Sequence, residues 1–351
     1  MINYILLACF SLILFLPLLV KRIEHNIEFF LFVMAVVAVT SSHLVGPEPA
    51  WSLKLLESSL TEPIKISLAT LVFGLLFRVF QETIKKRIAY LEGRMGPRFF
   101  AFITIFSLGM ISSVITAIIA ALILCEIVSA LNLDKKYETI FTILACFSIG
   151  MGAVLTPIGE PLSTIAMAKL HGGAHDAGFL FLSRLIGAYI IPGMLFIALL
   201  GGLLRGKGVE RLESLSEFYA ESYRIIALRA AKVYLFVMSL ILLGAGFKPL
   251  IDAYITRMPG RVLYWVNMSS AVLDNATLAA AELSPHMDIG QIKGIMMGVI
   301  ISGGMLIPGN IPNIISASKL GISSRAWAVI GVPIGLFMME FYYLVLYVIE
   351  K

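Results

Sequence analysis

The feature that most constrains this chain is the recurrence of long apolar runs. Residues 3–20, 28–46, 64–80, 178–204, 227–247 and 325–349 are each predominantly apolar. A helix needs about 20 such residues to cross the hydrocarbon core of a bilayer. Backbone N–H and C=O groups in lipid must be satisfied within the segment, so runs of this length fold as spanning helices. Composition agrees: 59% of the 351 residues are hydrophobic and 14% charged, and mean hydropathy is +0.93. A soluble domain is about half apolar and about a quarter charged. The net charge of +5 comes from basic residues in short loops between apolar runs, which excludes a nucleic-acid surface. Cys9, Cys125 and Cys146 lie inside apolar runs and form neither a disulfide framework nor a metal-type spacing. The run 3–20 has no preceding basic residue and no small-residue cleavage site after it, so it reads as a retained helix rather than a signal peptide.

Four further segments are apolar but interrupted, and they fall into two matching pairs. Residues 98–132 and 261–284 carry polar centres, with Ser112–Ser113 answered by Ser269–Ser270, 157 residues later. Residues 138–171 and 289–320 carry LTPIGEPLS and LIPGNIPNI, with Pro157 and Pro161 answered 151 residues later by Pro308 and Pro312. Matching features in the same order predict an internal repeat, roughly 64–204 and 227–349. Broken helices in corresponding halves point to a transporter site at the repeat interface.

Loop charge orients the repeats. Lys and Arg concentrate in 21–22, 85–98, 135–136, 205–232 and 319–325, which the positive-inside rule places in the cytoplasm. Residues 85–98 and 135–136 then share a side, so 98–132 enters and turns back as a re-entrant hairpin. By symmetry 261–284 is a second hairpin entering from outside. The expected fold is an all-α polytopic membrane protein. It has about eight spanning helices, two re-entrant hairpins and two broken helices in inverted repeats, with both termini outside. The expected organisation is N-terminal scaffold helices (1–63), a first repeat (64–204), a cytoplasmic linker (205–226) and a second repeat (227–351).

A break in a membrane helix frees backbone groups that must face protein or water. Carbonyls, hydroxyls and a carboxylate at such a break are ligands for a hard cation. Pro157 and Pro161 withhold donors, Gly159 permits the tight path, and Glu160 falls at the N-terminus of the second half-helix, where the dipole favours its anion. The second break is neutral, with Asn310 and Asn313. The hairpins add Ser112, Ser113 and Thr116 on one side, and Ser269, Ser270, Asp274 and Asn275 on the other; Thr156 flanks the first break. A single proline kink is common in membrane helices without marking a site, whereas two in matching positions are not. An intramembrane carboxylate is a functional candidate by default, which singles out Asp274 and Glu160. Glu126 and Glu282, late in their hairpins, read as solvated or structural near the interface. Lys169 and Lys319 match in the repeats and read as snorkelling lysines; His171 and His175 read as solvent-facing.

The segment GAVLTPIGEPLSTIAM resembles the Ser-Pro-Ile-Gly-Asp segment of NhaD-type sodium/proton antiporters in the ion transporter superfamily, with Thr156 for Ser and Glu160 for Asp. The segment SSAVLDNATLAAA resembles the Asp-Asn hairpin of that branch, with Asp274 and Asn275 in place. The resemblance covers about 94–320. It implies a homodimer, a scaffold domain, a moving domain built from both hairpins and both broken helices, and elevator-type alternating access. The chain is short for that family, residues 1–60 match nothing in it, and the hairpin tips lack the Ser-Asn-Thr motif of its carboxylate symporters.

The expected function is therefore a secondary cation/proton antiporter in the inner membrane of a prokaryote. Sodium or lithium and protons would be the cargo, Asp274 and Glu160 the titrating carboxylates, and no cofactor is called for. The alternative is a sodium-coupled carrier of a small anion, a carboxylate or oxyanion. A channel is a third reading, since opposed hairpins also occur in channels. No His-Glu-x-x-His, Gly-x-Ser-x-Gly or paired-aspartate arrangement supports an intramembrane enzyme, and no nucleotide-binding motif is present.

Overall fold

A computed structural model describes residues 2–24, 26–45, 49–131, 133–170, 175, 177–205, 223–250, 258–273, 275–283 and 287–349. The described residues are helices joined by turns, with no strand among them. Asp274, His171, Arg257 and residues 206–222 of the expected linker lie outside the described residues.

Among the described residues, five helices are long and apolar enough to cross a bilayer, which makes this an integral, polytopic membrane protein: α3 (Ile27–Val45), α5 (Pro97–Ile115), α9 (Phe181–Leu204), α10 (Tyr223–Leu250) and α15 (Ser324–Leu344) with its π-helical extension to Ile349. Helix α1 (Ile2–Leu19) is apolar and precedes the single turn α2 (Lys21–Glu24). Helix α4 (Leu53–Met95) runs unbroken for 43 residues, about 65 Å. The basic stretch read as a loop from residue 85 is the polar end of this helix as far as Met95. Its Lys, Arg and Glu are good helix formers, and the helix stops only at Gly96, whose φ of 78° precedes Pro97 at the first position of α5.

The expected hairpin 98–132 is α5 followed by α6 (Ala117–Ala130), with Thr116 alone between them. Phe100 near the start of α5 clusters with Ile127, Ala130 and Leu131 at the end of α6, so the segment turns back on itself. Its counterpart is α11 (Gly260–Val266), a 3₁₀ turn (Asn267–Ala271) and α12 (Asn275–Glu282). The two interrupted helices are α7 (Lys135–Ala153) with α8 (Pro161–Leu170), and α13 (Ile289–Gly303) with α14 (Ile311–Leu320). Side-chain caps start α7 at Asp134, α13 at an Asp288–Gln291 capping box and α15 at Ser323.

Helices α1, α3, α4 and α10 pack on one another as one layer, so α10 joins the N-terminal helices. A second body gathers α5, α7, α9, α13 and α15 around the interrupted segments. Its helices approach through small residues: a Cβ on Gly152 of α7 would lie 2.5 Å from the Gly109 carbonyl carbon of α5. That contact leaves the helices bonded directly, through Ser112 Oγ to Ile149 O (3.0 Å) and Ser148 Oγ to Ile105 O (2.9 Å). A crevice of about 340 Å³ lies between the layers, with Ile27, Glu28, Lys232 and Phe236 on one wall and Ile307, Ile314 and Ser318 on the other.

Candidate functional site

Both breaks and both hairpin tips meet at one cavity of about 400 Å³. Thr116, Ala117 and Ile118 line it from the first hairpin, and Pro157, Ile158, Gly159 and Glu160 from the first break. Pro161, Leu162, Thr164 and Ile165 continue the wall along α8, while Asn275 and Ala276 face it from α12 and Asn310 and Ile311 from the second break. Four helices therefore begin at its wall: α6 at Ala117, α8 at Pro161, α12 at Asn275 and α14 at Ile311. Helix N-termini carry partial positive charge, and the carboxylate of Glu160 stands among them, with the residue 8% exposed.

The two breaks share a local design, and its register differs by one residue from the proline spacing. Helix ends Ala153 and Gly303, and helix starts Pro161 and Ile311, are each 150 apart. In this register Glu160 corresponds to Asn310, Gly159 to Gly309 and Ser163 to Asn313. Ser163 Oγ donates to Thr156 O at 2.7 Å, and Asn313 Nδ2 donates to the corresponding Leu306 O at 2.9 Å. A Cβ on Gly159 would meet the carbonyl of Ala153, and one on Gly309 would lie 2.5 Å from the carbonyl oxygen of Gly303. Pro161 opens α8 at its first position, where a missing N–H costs nothing, while Pro312 sits second in α14. The prolines therefore mark the breaks without setting their register. Ser163 carried no signal beyond this shifted alignment.

Five of the sequence-derived candidates line the cavity: Thr116, Gly159, Glu160, Asn275 and Asn310. Several others brace it. Ser112 bridges α5 and α7, and Ser113 donates to Met110 O within its own helix at 2.7 Å. Thr156 donates to Ser113 O, fastening the first break to the first hairpin. Ser270 lies behind Asn275, its one hydroxyl proton in reach of Asn275 Oδ1 and of Val299 O at 3.2 Å. Asn313 spans the second break, donating also to Gly303 O at 2.8 Å. Ser269 Oγ is buried without a partner among the described residues and does not line the cavity.

Carbonyls freed by the first break, expected as cation ligands, are held by protein donors. Gly159 O accepts from Ala117 N–H (2.8 Å), Pro157 O from Thr164 Oγ1 (2.8 Å), and Thr156 O and Glu160 O share the single Ser163 hydroxyl proton, each 2.7 Å from Oγ. The polar residues in the cavity wall are Glu160, Thr116, Asn275 and Asn310; Thr116 Oγ1 caps the Ile119 N–H at 3.4 Å, the Asn275 amide lies against Gly303 and the Asn310 amide against Gly150.

Three expectations away from the cavity are corrected. Glu126 and Glu282 are buried, at 7% and 3% exposure, so of the two readings, solvated or structural, the solvated one falls. Lys319 does not snorkel; its ammonium pairs with Glu126 inside the protein, because α14 packs along α6 and faces the lysine inward. His175 is half-buried, with Nε2 2.6 Å from Met287 O, while Lys169 is exposed.

The family described as Protein of unknown function (DUF1646) matches residues 3–349. The chain belongs to this family. The match covers all the elements that build the cavity, so the DUF1646 sequence pattern includes both breaks and both hairpins. No curated protein matches the chain.

Proposed function

We propose that this DUF1646 protein is a secondary active transporter, a cation/proton antiporter exchanging sodium or lithium for protons. The observation that carries this reading is the buried carboxylate of Glu160 in a cavity where two helix breaks and two hairpin tips converge. An intramembrane carboxylate binds a cation or a proton at the same oxygens, and that competition couples the two fluxes. The matching geometry of the two breaks supports inverted repeats, with the hairpins entering from opposite faces. The packing of α1, α3 and α4 on or through α10, with a crevice between this layer and the cavity-bearing body, supports a scaffold and a moving element. Asp274, immediately before Asn275, is the second carboxylate of this reading. Ser270 has one proton and two acceptors in reach. Given to Val299 O, that proton leaves Ser270 Oγ to accept from the Asn275 amide.

A second reading has its own observation. Four helix N-termini around one cavity favour an anion, which suits a sodium-coupled carrier of a small carboxylate or oxyanion. One assay separates the two. The purified chain in proteoliposomes is given pulses of sodium, lithium or potassium while lumenal pH is read. Antiport predicts lumenal pH changes on sodium or lithium pulses with no anion added. Sodium-dependent uptake of a labelled carboxylate or oxyanion, with no cation-driven pH change, would replace antiport with the anion carrier.

A further inference from the structure

Among the described residues, the cavity is closed by packed side chains where α6 meets α14. Helices α6 and α14 both lead away from it, and their first turns place Ile118 and Ile311 in its wall. The same two side chains join Ala121, Leu122, Cys125 and Ile315 in a compact apolar cluster. One turn farther out, Glu126 and Lys319 pair, with side chains 9% and 6% exposed. The seam is thus an apolar plug backed by a buried ion pair, about 12 Å from the cavity by helix rise.

The opposite seam, between α8 and α12, holds the corresponding residues in another arrangement. These two helices also lead away from the cavity and pack on each other. Pro161 and Thr164 are exposed, and the cavity wall extends along α8 to Ile165. Lys169, which lies 150 residues before Lys319, is exposed. Glu282 ends α12 much as Glu126 lies late in α6, but its carboxylate has the neutral Asn267 side chain beside it and no cation paired with it among the described residues. A buried carboxylate without a counter-charge is unfavourable, and removing one partner of a buried pair is strongly so.

We propose that Glu126–Lys319 and Glu282–Lys169 are the latches of two gates, the first closed in this structure and the second closed when the cavity faces the other side of the membrane. Parting the first pair strands a buried carboxylate, and joining the second relieves one. The two states are therefore balanced, and neither traps the carrier. Substrate enters in the present state along α8 and α12. This inference rests on the reading of the chain as an alternating-access carrier and is independent of which ion it moves.

The test uses the native Cys125, fully buried in the closed seam. Its alkylation by a membrane-permeant maleimide, mapped by peptide analysis in the full chain in proteoliposomes, reports opening of the α6–α14 seam. Lys169→Glu changes an exposed residue and sets like charges at the second latch. It is expected to slow Cys125 labelling several-fold, because the α8–α12 gate no longer closes. Lys319→Ala is expected to speed labelling by roughly tenfold or more. In a background with Cys9, Cys125 and Cys146 replaced by Ala, the pair Glu282→Cys/Lys169→Cys should cross-link with a short bifunctional thiol reagent. Unchanged Cys125 labelling in Lys169→Glu, or a 169/282 pair that never cross-links while flux continues, overturns the latches. Loss of the antiporter reading looks different: no cation-driven pH change in the unmodified chain, with labelling and cross-linking still as described.

Discussion

Gly159→Ala tests whether the first break is held by contact with the end of α7. An ideal Cβ on Gly159 lies 2.6 Å from the carbonyl carbon and 2.7 Å from the Cα of Ala153. Ordinary carbon contacts are about 3.5–4.0 Å, so backbone must move by about 1 Å. That movement carries the Gly159 carbonyl away from Ala117 N–H, now 2.8 Å from it, and out of hydrogen-bonding range. Overpacking of this kind costs about 1–3 kcal/mol, and an orphaned buried backbone donor about 1–3 kcal/mol more. The combined loss is about 2–6 kcal/mol. It should appear as a lower melting temperature of the detergent-solubilised protein and as lost ion flux in proteoliposomes. Gly309→Ala should behave alike, since its Cβ meets Gly303 O at 2.5 Å. Gly93→Ala is the control: nothing lies within 4 Å of its Cβ, and the helical substitution should be neutral or stabilise by up to about 1 kcal/mol. Gly159→Ala with unaltered melting and flux would refute the proposed close contact.

Asp274→Asn should abolish cation-driven proton movement at normal expression, and Glu160→Gln should weaken cation affinity or shift the pH profile; lumenal pH recordings with wild-type behaviour in both variants would remove antiport. Thr116 has a φ of 79°, which a β-branched residue rarely adopts. Such strain costs about 1–3 kcal/mol, so Thr116→Gly should raise the melting temperature while slowing flux, measured side by side. Cysteines at the exposed positions Lys136 and Gly178, which flank α7 and α8, should label from opposite sides with an impermeant thiol reagent; labelling from one side would remove the crossing of this interrupted helix.

The helix breaks were legible because proline, glycine and a carboxylate inside an apolar run have few other uses. The turn at Thr116 was legible from the basic residues on both flanks of 98–132, although nothing in the sequence distinguishes Thr116 from its neighbours as the residue of positive φ. Register was not legible: Pro157 and Pro308 align by identity, but helix starts depend on which carbonyl each side chain holds, and that bond belongs to Ser163 and Asn313. Hydroxyl groups misled for a related reason. Ser112, Ser113 and Thr156 have the composition of a cation shell, yet each has a backbone carbonyl in reach and donates to it. Lys319 was misread because sequence position near a helix end gives depth but not facing, and facing is set by the helix packed alongside.

The joints on either side of α5 are each a single residue: Gly96 between α4 and α5, and Thr116 between α5 and α6. Neither joint offers a slack tether. When α5 and α6 move, the change must fall on a few dihedral angles while the helical ladders on both sides stay hydrogen-bonded. Little chain entropy is then released or recovered in a cycle. Amide protons along α5 and α6 should exchange as slowly during turnover as at rest, and proteases should find no new cleavage site at the tip. In the proposed transport cycle the hairpin is hinged in the manner of a door, and its motion is a rotation with almost no melting.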